Sequence, residues 1–264
     1  WNNHTERLYA NWNRLVNEND TVILPGDLSW GLKLEETKKD FEFLKTLKGK
    51  KILIKVNHDL WWSTAKKIHT FFENENITDC EILFNNSIVA DGYAIAGTRG
   101  WFYDNSGSQK VLLREAGRLE TSIKSSLVSG LPVLVFLHYP PVYGDYACRE
   151  ILEVLKKYNI KDVYHGHIHG AGFNKAVKEF EGINFHLISC DCTDFTPIRI
   201  VWIIIFKKIK KILEIFIIVW YTYVNYAGEN QFYRRYNKKM SLKETKNVGT
   251  NRYELEITVD AEKF

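Results

Sequence analysis

Four short apolar runs constrain this chain most, because each breaks off into residue types that are able to ligate metals or transfer protons. Thr21–Pro25 (TVILP) leads into Gly26-Asp27, and Lys51–Lys55 (KILIK) leads into Asn57-His58-Asp59. Pro132–His138 (PVLVFLH) ends on His138, and Lys161–Tyr164 (KDVY) leads into His165-Gly166-His167-Ile168-His169-Gly170. Short apolar runs bounded by turn residues predict buried strands. Open α/β sheets place ligand sites outside the carboxyl ends of their strands. Any fold of this chain must therefore bring several such strand ends together.

Helical periods lie between these runs. Leu8, Trp12, Leu15 and Val16 share one helical face, and Leu34 to Leu47 predicts a helix with Leu34, Phe41 and Leu44 inward. Ser63 is positioned to cap a helix reaching Phe72, and Gln109–Leu127 and Ala147–Tyr158 predict two more. Glu81–Ala90, Tyr93–Ala96, Ile183–Ser189 and Ile198–Ile200 predict further strands, with Asp91-Gly92 as a hairpin turn. The alternation argues layered α/β architecture.

Composition agrees. The chain has 264 residues, 45% apolar and 26% charged, which excludes a disordered or fibrous polymer. Residues 1–200 carry 24 basic against 25 acidic side chains, so charge gives no nucleic-acid surface there. The basic excess, 12 against 7, belongs to residues 201–264. Four cysteines in so long a chain suggest no disulfide framework and point to a reducing, cytoplasmic setting. The chain opens at Trp1, without Met and without a signal-peptide pattern, so we expect the natural N-terminus to lie upstream.

The chemistry follows from residue types. A carboxylate such as Asp27 can bridge two ions, one per oxygen. An Asn amide oxygen is a neutral hard ligand, and an adjacent His58 can donate a proton to a leaving group. In His167-Ile168-His169 each imidazole can face a different ion. Oxygen and imidazole donors without thiolate suit Mn, Fe or Zn. Arg99 is a candidate phosphate contact, because a guanidinium matches phosphate oxygens bidentately; a surface salt bridge is the alternative. Trp30, Trp61, Trp62, Trp101 and Tyr139 read as site-wall or core aromatics.

In their order, GDLSWG, NHDLWW, GTRGW, LHYPP and GHIHG over residues 1–200 resemble the calcineurin-like metallophosphoesterase family, in particular its small bacterial phosphohydrolases. The resemblance implies a four-layer α/β/β/α sandwich with two divalent metal ions at one sheet edge. It implies that Asp27 bridges both ions, that Asn57, His138 and His167 complete the second site, and that His169 belongs to the first. His58 would act as general acid or stabilise the transferring phosphoryl group, Asp59 would orient neighbours, and His165 would be a supporting or structural residue. The implied activity is hydrolysis of phosphomonoesters or phosphodiesters, with a metal-bound hydroxide attacking phosphorus.

Two departures stand out. The family's Asp-x-His motif, on its first strand, is absent, so we expect a chain lacking that strand, with one metal site incomplete. A catalytically impaired metal-binding fragment is therefore the alternative function. Val56 stands where the family has Gly, at a cost of about 1–3 kcal/mol if its φ is positive.

Residues 201–226 (VWIIIFKKIKKILEIFIIVWYTYVNY) are apolar but broken by Lys207, Lys208, Lys210, Lys211 and Glu214. A membrane span is disfavoured; a membrane-surface helix anchoring the protein is the alternative reading. Roughly two-thirds of residues 201–239 are Ile, Lys, Asn, Tyr or Phe, a bias we read as translated intergenic DNA. Met240–Phe264, with the alternating Tyr253–Val259, weakly resembles the start of bacterial trigger factor and would open a second reading frame. Intact-mass measurement on the native-host protein should show no single chain running through Met240; one continuous mass overturns this reading.

Overall fold

The computed structural model describes residues 2–56, 58–101 and 109–200, together with the backbone of 241–246 and 253–258. In chain order the elements are α1 (His4–Leu15), β1 (Thr21–Leu24), α2 (Lys38–Lys45), β2 (Lys50–Ile54), α3 (Ala65–Asn74), β3 (Cys80–Leu83) and β4 (Ile88–Ala90). There follow β5 (Tyr93–Thr98), α4 (Gln109–Leu127), β6 (Val133–Leu137), β7 (Val142–Tyr143), β8 (Tyr146–Ala147), α5 (Arg149–Lys157) and β9 (Asp162–His165). The last are β10 (Glu179–Phe180), β11 (Ile183–Leu187), β12 (Ser241–Lys246) and β13 (Tyr253–Thr258). Short 3-10 turns at Leu34–Thr37 and Gly170–Lys175 complete the set.

Two sheets carry the first compact unit, Trp1–Ile198. One is a parallel sheet in the order β1-β2-β3. The other has the order β10-β11-β9-β6-β5-β4, parallel across β11-β9-β6-β5 with antiparallel edge strands. Parallel strands need crossover connections: α2, α3, α4 and α5 supply those of β1-β2, β2-β3, β5-β6 and β6-β9, and a 3-10 turn with β10 links β9 to β11.

Side-chain alternation builds the layers. On one face of the small sheet, Leu53 and Ile82 join Trp12, Phe41, Leu44, Trp61, Ile68 and Phe72 in a helix-side core. Ile52, Ile54 and Leu83 point to the other face and are equally buried. In the large sheet Val135, Leu137 and Val163 pack with Leu112, Leu119, Ile123, Ile151 and Leu155 of α4 and α5. Phe136 and Leu134 are buried on the opposite face. The inner faces meet: a Cβ at Gly97 of β5 would stand 3.3 Å from the Leu83 side chain of β3. The result is the expected α/β/β/α arrangement of a calcineurin-like fold.

Several local expectations shift. Glu81–Ala90 is not one strand; β3 and β4 belong to different sheets, separated by an Asn85-Asn86 break in which Asn85 has φ 60°. Ile198–Ile200 forms no strand and joins neither edge of the large sheet. Leu15 is 37% exposed, leaving Trp12 as the buried residue of α1 and Val16 buried just past its end. Thr64, not Ser63, caps α3 by accepting the Lys67 N–H at 3.3 Å.

The second unit, Arg199–Phe264, contains an antiparallel β12-β13 hairpin. The expected intergenic segment and membrane-surface helix fall on 201–239, outside the described residues, as do the side chains of the trigger-factor-like stretch. Among the described residues no helix is long and apolar enough to cross a membrane.

Val56 carries no positive φ. Its side chain is 2% exposed and packs over Gly26, whose φ is +107°. The expected strain is therefore absent at Val56, and the left-handed turn sits at Gly26-Asp27 instead. A Cβ at Gly26 would stand 2.0 Å from Val56 Cγ1. Gly26→Ala should cost about 2–4 kcal/mol in urea unfolding, since overpacking and a left-handed backbone act together. Adding Val56→Gly should restore only the packing part, checked by the same unfolding midpoint.

Candidate metal centre

The carboxyl ends of β1, β6 and β9 bring three ligand side chains together. β1 ends at Leu24, and the left-handed pair Gly26 (φ 107°) and Asp27 (φ 56°) turns the chain back. Asp27 Oδ2 lies 3.6 Å from His138 Nε2, and His138 Nε2 lies 3.2 Å from His167 Nδ1. One ligand atom from each of Asp27, His138 and His167 falls within 4.8 Å of the others.

His138 is oriented from behind. Its Nδ1–H donates to the Pro25 carbonyl at 3.0 Å, which leaves the lone pair on Nε2, facing Asp27 and His167. Burial, with His167 close by, pushes its pKa down to about 3. His167 is held down to about 4, again chiefly by burial. Both imidazoles are thus neutral and basic toward a cation at neutral pH. Two nitrogens each about 2.1 Å from one ion stand about 3.0–3.4 Å apart, so the observed spacing suits a shared divalent cation.

His167 itself is strained. Its φ is 69°, and the Ile168 N–H closes a three-residue turn onto the Gly166 carbonyl at 2.9 Å. A turn of this form with positive φ at its centre is rare and costs of order 1–3 kcal/mol. The Gly166 N–H, donated to the His138 carbonyl at 3.1 Å, locks the two histidine loops together.

Asp27 sits between opposing influences. Its carboxyl is raised above the usual range, because burial outweighs the charges of His58 and His169 and the His58 backbone N–H that pull it down. His58 is therefore close to Asp27. Its ring is exposed and lies 5.2 Å from Trp30, which is itself 83% exposed. Asn57 lies outside the described residues.

Asp59 ties the β2 loop to the β1 loop. It is buried and accepts the Leu28 N–H at 2.9 Å, the Ser29 N–H at 3.4 Å and the Trp61 Nε1–H at 3.1 Å. Burial raises its carboxyl to about 6. His165 is buried under the loop with Nδ1 3.2 Å from the Gly166 carbonyl, and burial lowers it to about 4. Of the aromatics, Trp61 and Trp62 are core, and Trp30 is at the rim. Tyr139 lies 4.4 Å from the His167 ring.

Arg99 turns to buried Glu115, with Nη2 3.1 Å from Oε1. Its guanidinium also lies 4.7 Å above the Trp101 ring. The residue is nonetheless the next-door neighbour of the centre, because its carbonyl accepts the Tyr139 N–H at 2.9 Å.

His169 stands outside the three-residue cluster and has its own support, which the sequence reading missed. Asp191, four residues past β11, accepts the His169 Nδ1–H at 2.7 Å and the N–H groups of Gly170 and Cys192 at 3.0 and 3.1 Å. This puts the imidazole proton on Nδ1 and the lone pair on Nε2. Carboxylate-supported histidine of this kind is common behind metal ligands.

A family model described as calcineurin-like phosphoesterase matches residues 1–171. Comparison with curated proteins finds no match. Among solved structures, a protein of unknown function from Aquifex aeolicus is 17% identical, covering 75% of this chain and 82% of that one, with a TM-score of 0.41. A second, the protein TT1561 of Thermus thermophilus, is 14% identical, covering 63% of this chain and 76% of that one, with a TM-score of 0.45.

If Asp191 orients His169 for a cation, Asp191→Ala should weaken binding of one divalent ion by about 10–100-fold. Metal titration against a competing chelator measures it. An unchanged affinity, with the fold intact by circular dichroism, removes Asp191 from the centre.

Proposed function

Because the chain belongs to the calcineurin-like phosphoesterase family, we propose that it is a metal-dependent hydrolase of phosphomonoesters or phosphodiesters acting at the Asp27, His138 and His167 centre. The observation that carries this reading is the convergence of one carboxylate and two neutral imidazoles at three strand ends. Asp27, His138 and His167, joined by Asn57, would hold one divalent ion. Asp27 and His169 would contribute to a second. The donor set favours Mn, Fe or Zn. Bound there, such ions supply Lewis-acid stabilisation of the phosphoryl oxygens and lower the pKa of water.

The chain's own residues divide the remaining work. The hydrogen bond from buried His138 to Pro25 fixes which nitrogen faces the centre. Asp59 holds the loop that carries His58 against the loop that carries Asp27. His58 stands at the exposed rim, where a leaving-group oxygen would depart, and can donate its proton there. Trp30 beside it offers a flat apolar wall to an aromatic leaving group. The four cysteines are free, which suits a reducing compartment, and we place the protein in the cytoplasm on that ground.

The test is hydrolysis of a chromogenic aryl phosphate with added Mn. Asp27→Ala should lower kcat/KM by about 100-fold or more, the scale of several kcal/mol of lost charge stabilisation. His58→Ala should lower kcat by about 100-fold while metal stoichiometry stays the same, as expected for a proton donor. Metal-loaded protein without hydrolysis, or an Asp27→Ala variant with full activity, overturns the reading.

A further inference from the structure

A second polar site lies beside the metal centre. The ends of β2, β3 and β5 and one face of α4 line an open cavity of about 220 Å³. At the roughly 30 Å³ that a water occupies in the liquid, it has room for a phosphate group and several waters. Four cationic side chains line it, Lys55, Arg99, Arg114 and Arg118, against one carboxylate, Glu115.

The charges do not balance. Glu115 is fully buried, and its Oε1 takes both Arg118 at 2.6 Å and Arg99 at 3.1 Å. Its Oε2 accepts the Thr98 hydroxyl at 3.4 Å. That carboxylate is saturated. Lys55, 5.8 Å from the Phe84 ring centroid, and exposed Arg114 form no ion pair with any described residue. Arg99 Nε is buried without a hydrogen-bond partner among the described residues. Three excess positive charges around one concave space create a potential that an anion would neutralise, and guanidinium forks match phosphate oxygens.

Position supplies the rest. Thr98 pairs with Leu137 across β5 and β6, so Arg99 and His138 leave adjacent strands side by side. Lys55 leaves β2 shortly before His58. The cavity and the metal centre thus share one edge of the fold. We infer that this cavity is a phosphate subsite that holds a second phosphate of the same substrate while the scissile one occupies the metal centre. The substrate part rests on the phosphoesterase reading; the phosphate-binding part does not.

Two measurements test it separately. Metal-free, chelator-treated protein is titrated with inorganic phosphate by calorimetry. One phosphate should bind per chain, and Arg114→Ala and Lys55→Ala should each weaken it about tenfold, the scale of one charge-assisted hydrogen bond. Lys66→Ala, an exposed lysine of α3, should leave binding unchanged. Absence of phosphate binding, or binding that survives the Lys55→Ala/Arg114→Ala double variant, overturns the subsite. The Mn-loaded protein is then assayed on an aryl phosphate with and without a second phosphate. The double variant should lose at least tenfold of the preference for the doubly phosphorylated substrate. Phosphate binding with an unchanged preference overturns the substrate assignment. If neither substrate is cleaved, the phosphoesterase reading fails, and the calorimetry still decides the phosphate subsite.

Discussion

The hydrogen bond from His138 Nδ1 to the Pro25 carbonyl joins the two sheets at the point where their strand ends meet. Pro25 follows β1 of the small sheet, and His138 follows β6 of the large one. In water such a bond would contribute about 1 kcal/mol net. Because His138 is buried, losing its acceptor would strand the Nδ1 donor at about 1–3 kcal/mol. The same bond sets the imidazole tautomer and the distance from Asp27 to His138. Sheet packing and ligand geometry are thus one constraint, and a change in either would disturb the other.

Two of the residues that this contact aligns carry left-handed backbone. Asp27 and His167 both hold positive φ, a conformation L-residues avoid. Each is fixed by neighbours: Asp27 by Val56 packed on Gly26 and by the Asp59 bonds to Leu28 and Ser29, His167 by the Gly166 bond to His138. The histidines remain neutral because burial outweighs their polar contacts. Rigid backbone and uncharged nitrogens together make a centre organised before any cation arrives.

The centre was legible in sequence because Asp27, His138, His167 and His169 each follow a buried apolar run, and the run itself signals the strand end. Asp191 carried no such signal. It acts through His169 from 22 residues away, and its immediate neighbours are two cysteines. Glu115 did carry one: it falls on the apolar face of α4 between Leu112 and Leu119, where a lone charge demands a partner. The split of Glu81–Ala90 was also foreshadowed, because Asn85-Asn86 interrupts the run and Asn86 Oδ1 accepts the Phe84 N–H at 2.6 Å. The two-sheet division followed from alternation, which tells which residues face away from helices and not which second sheet they meet.

Net charge would have been a poor guide to the ligand. Residues 1–200 are almost neutral, and the metal centre without cations offers neutral imidazoles and a carboxylate, which repels a phosphate ester. The field that an anionic substrate meets depends on where charges cluster along the edge. Glu115, by holding Arg99 and Arg118 with one buried carboxylate, fixes two guanidiniums in place while cancelling only one of them. Lys55 and Arg114 add to the same concavity. A buried acid can therefore organise a basic site, and the anion-seeking face of this fold is built around its most buried carboxylate.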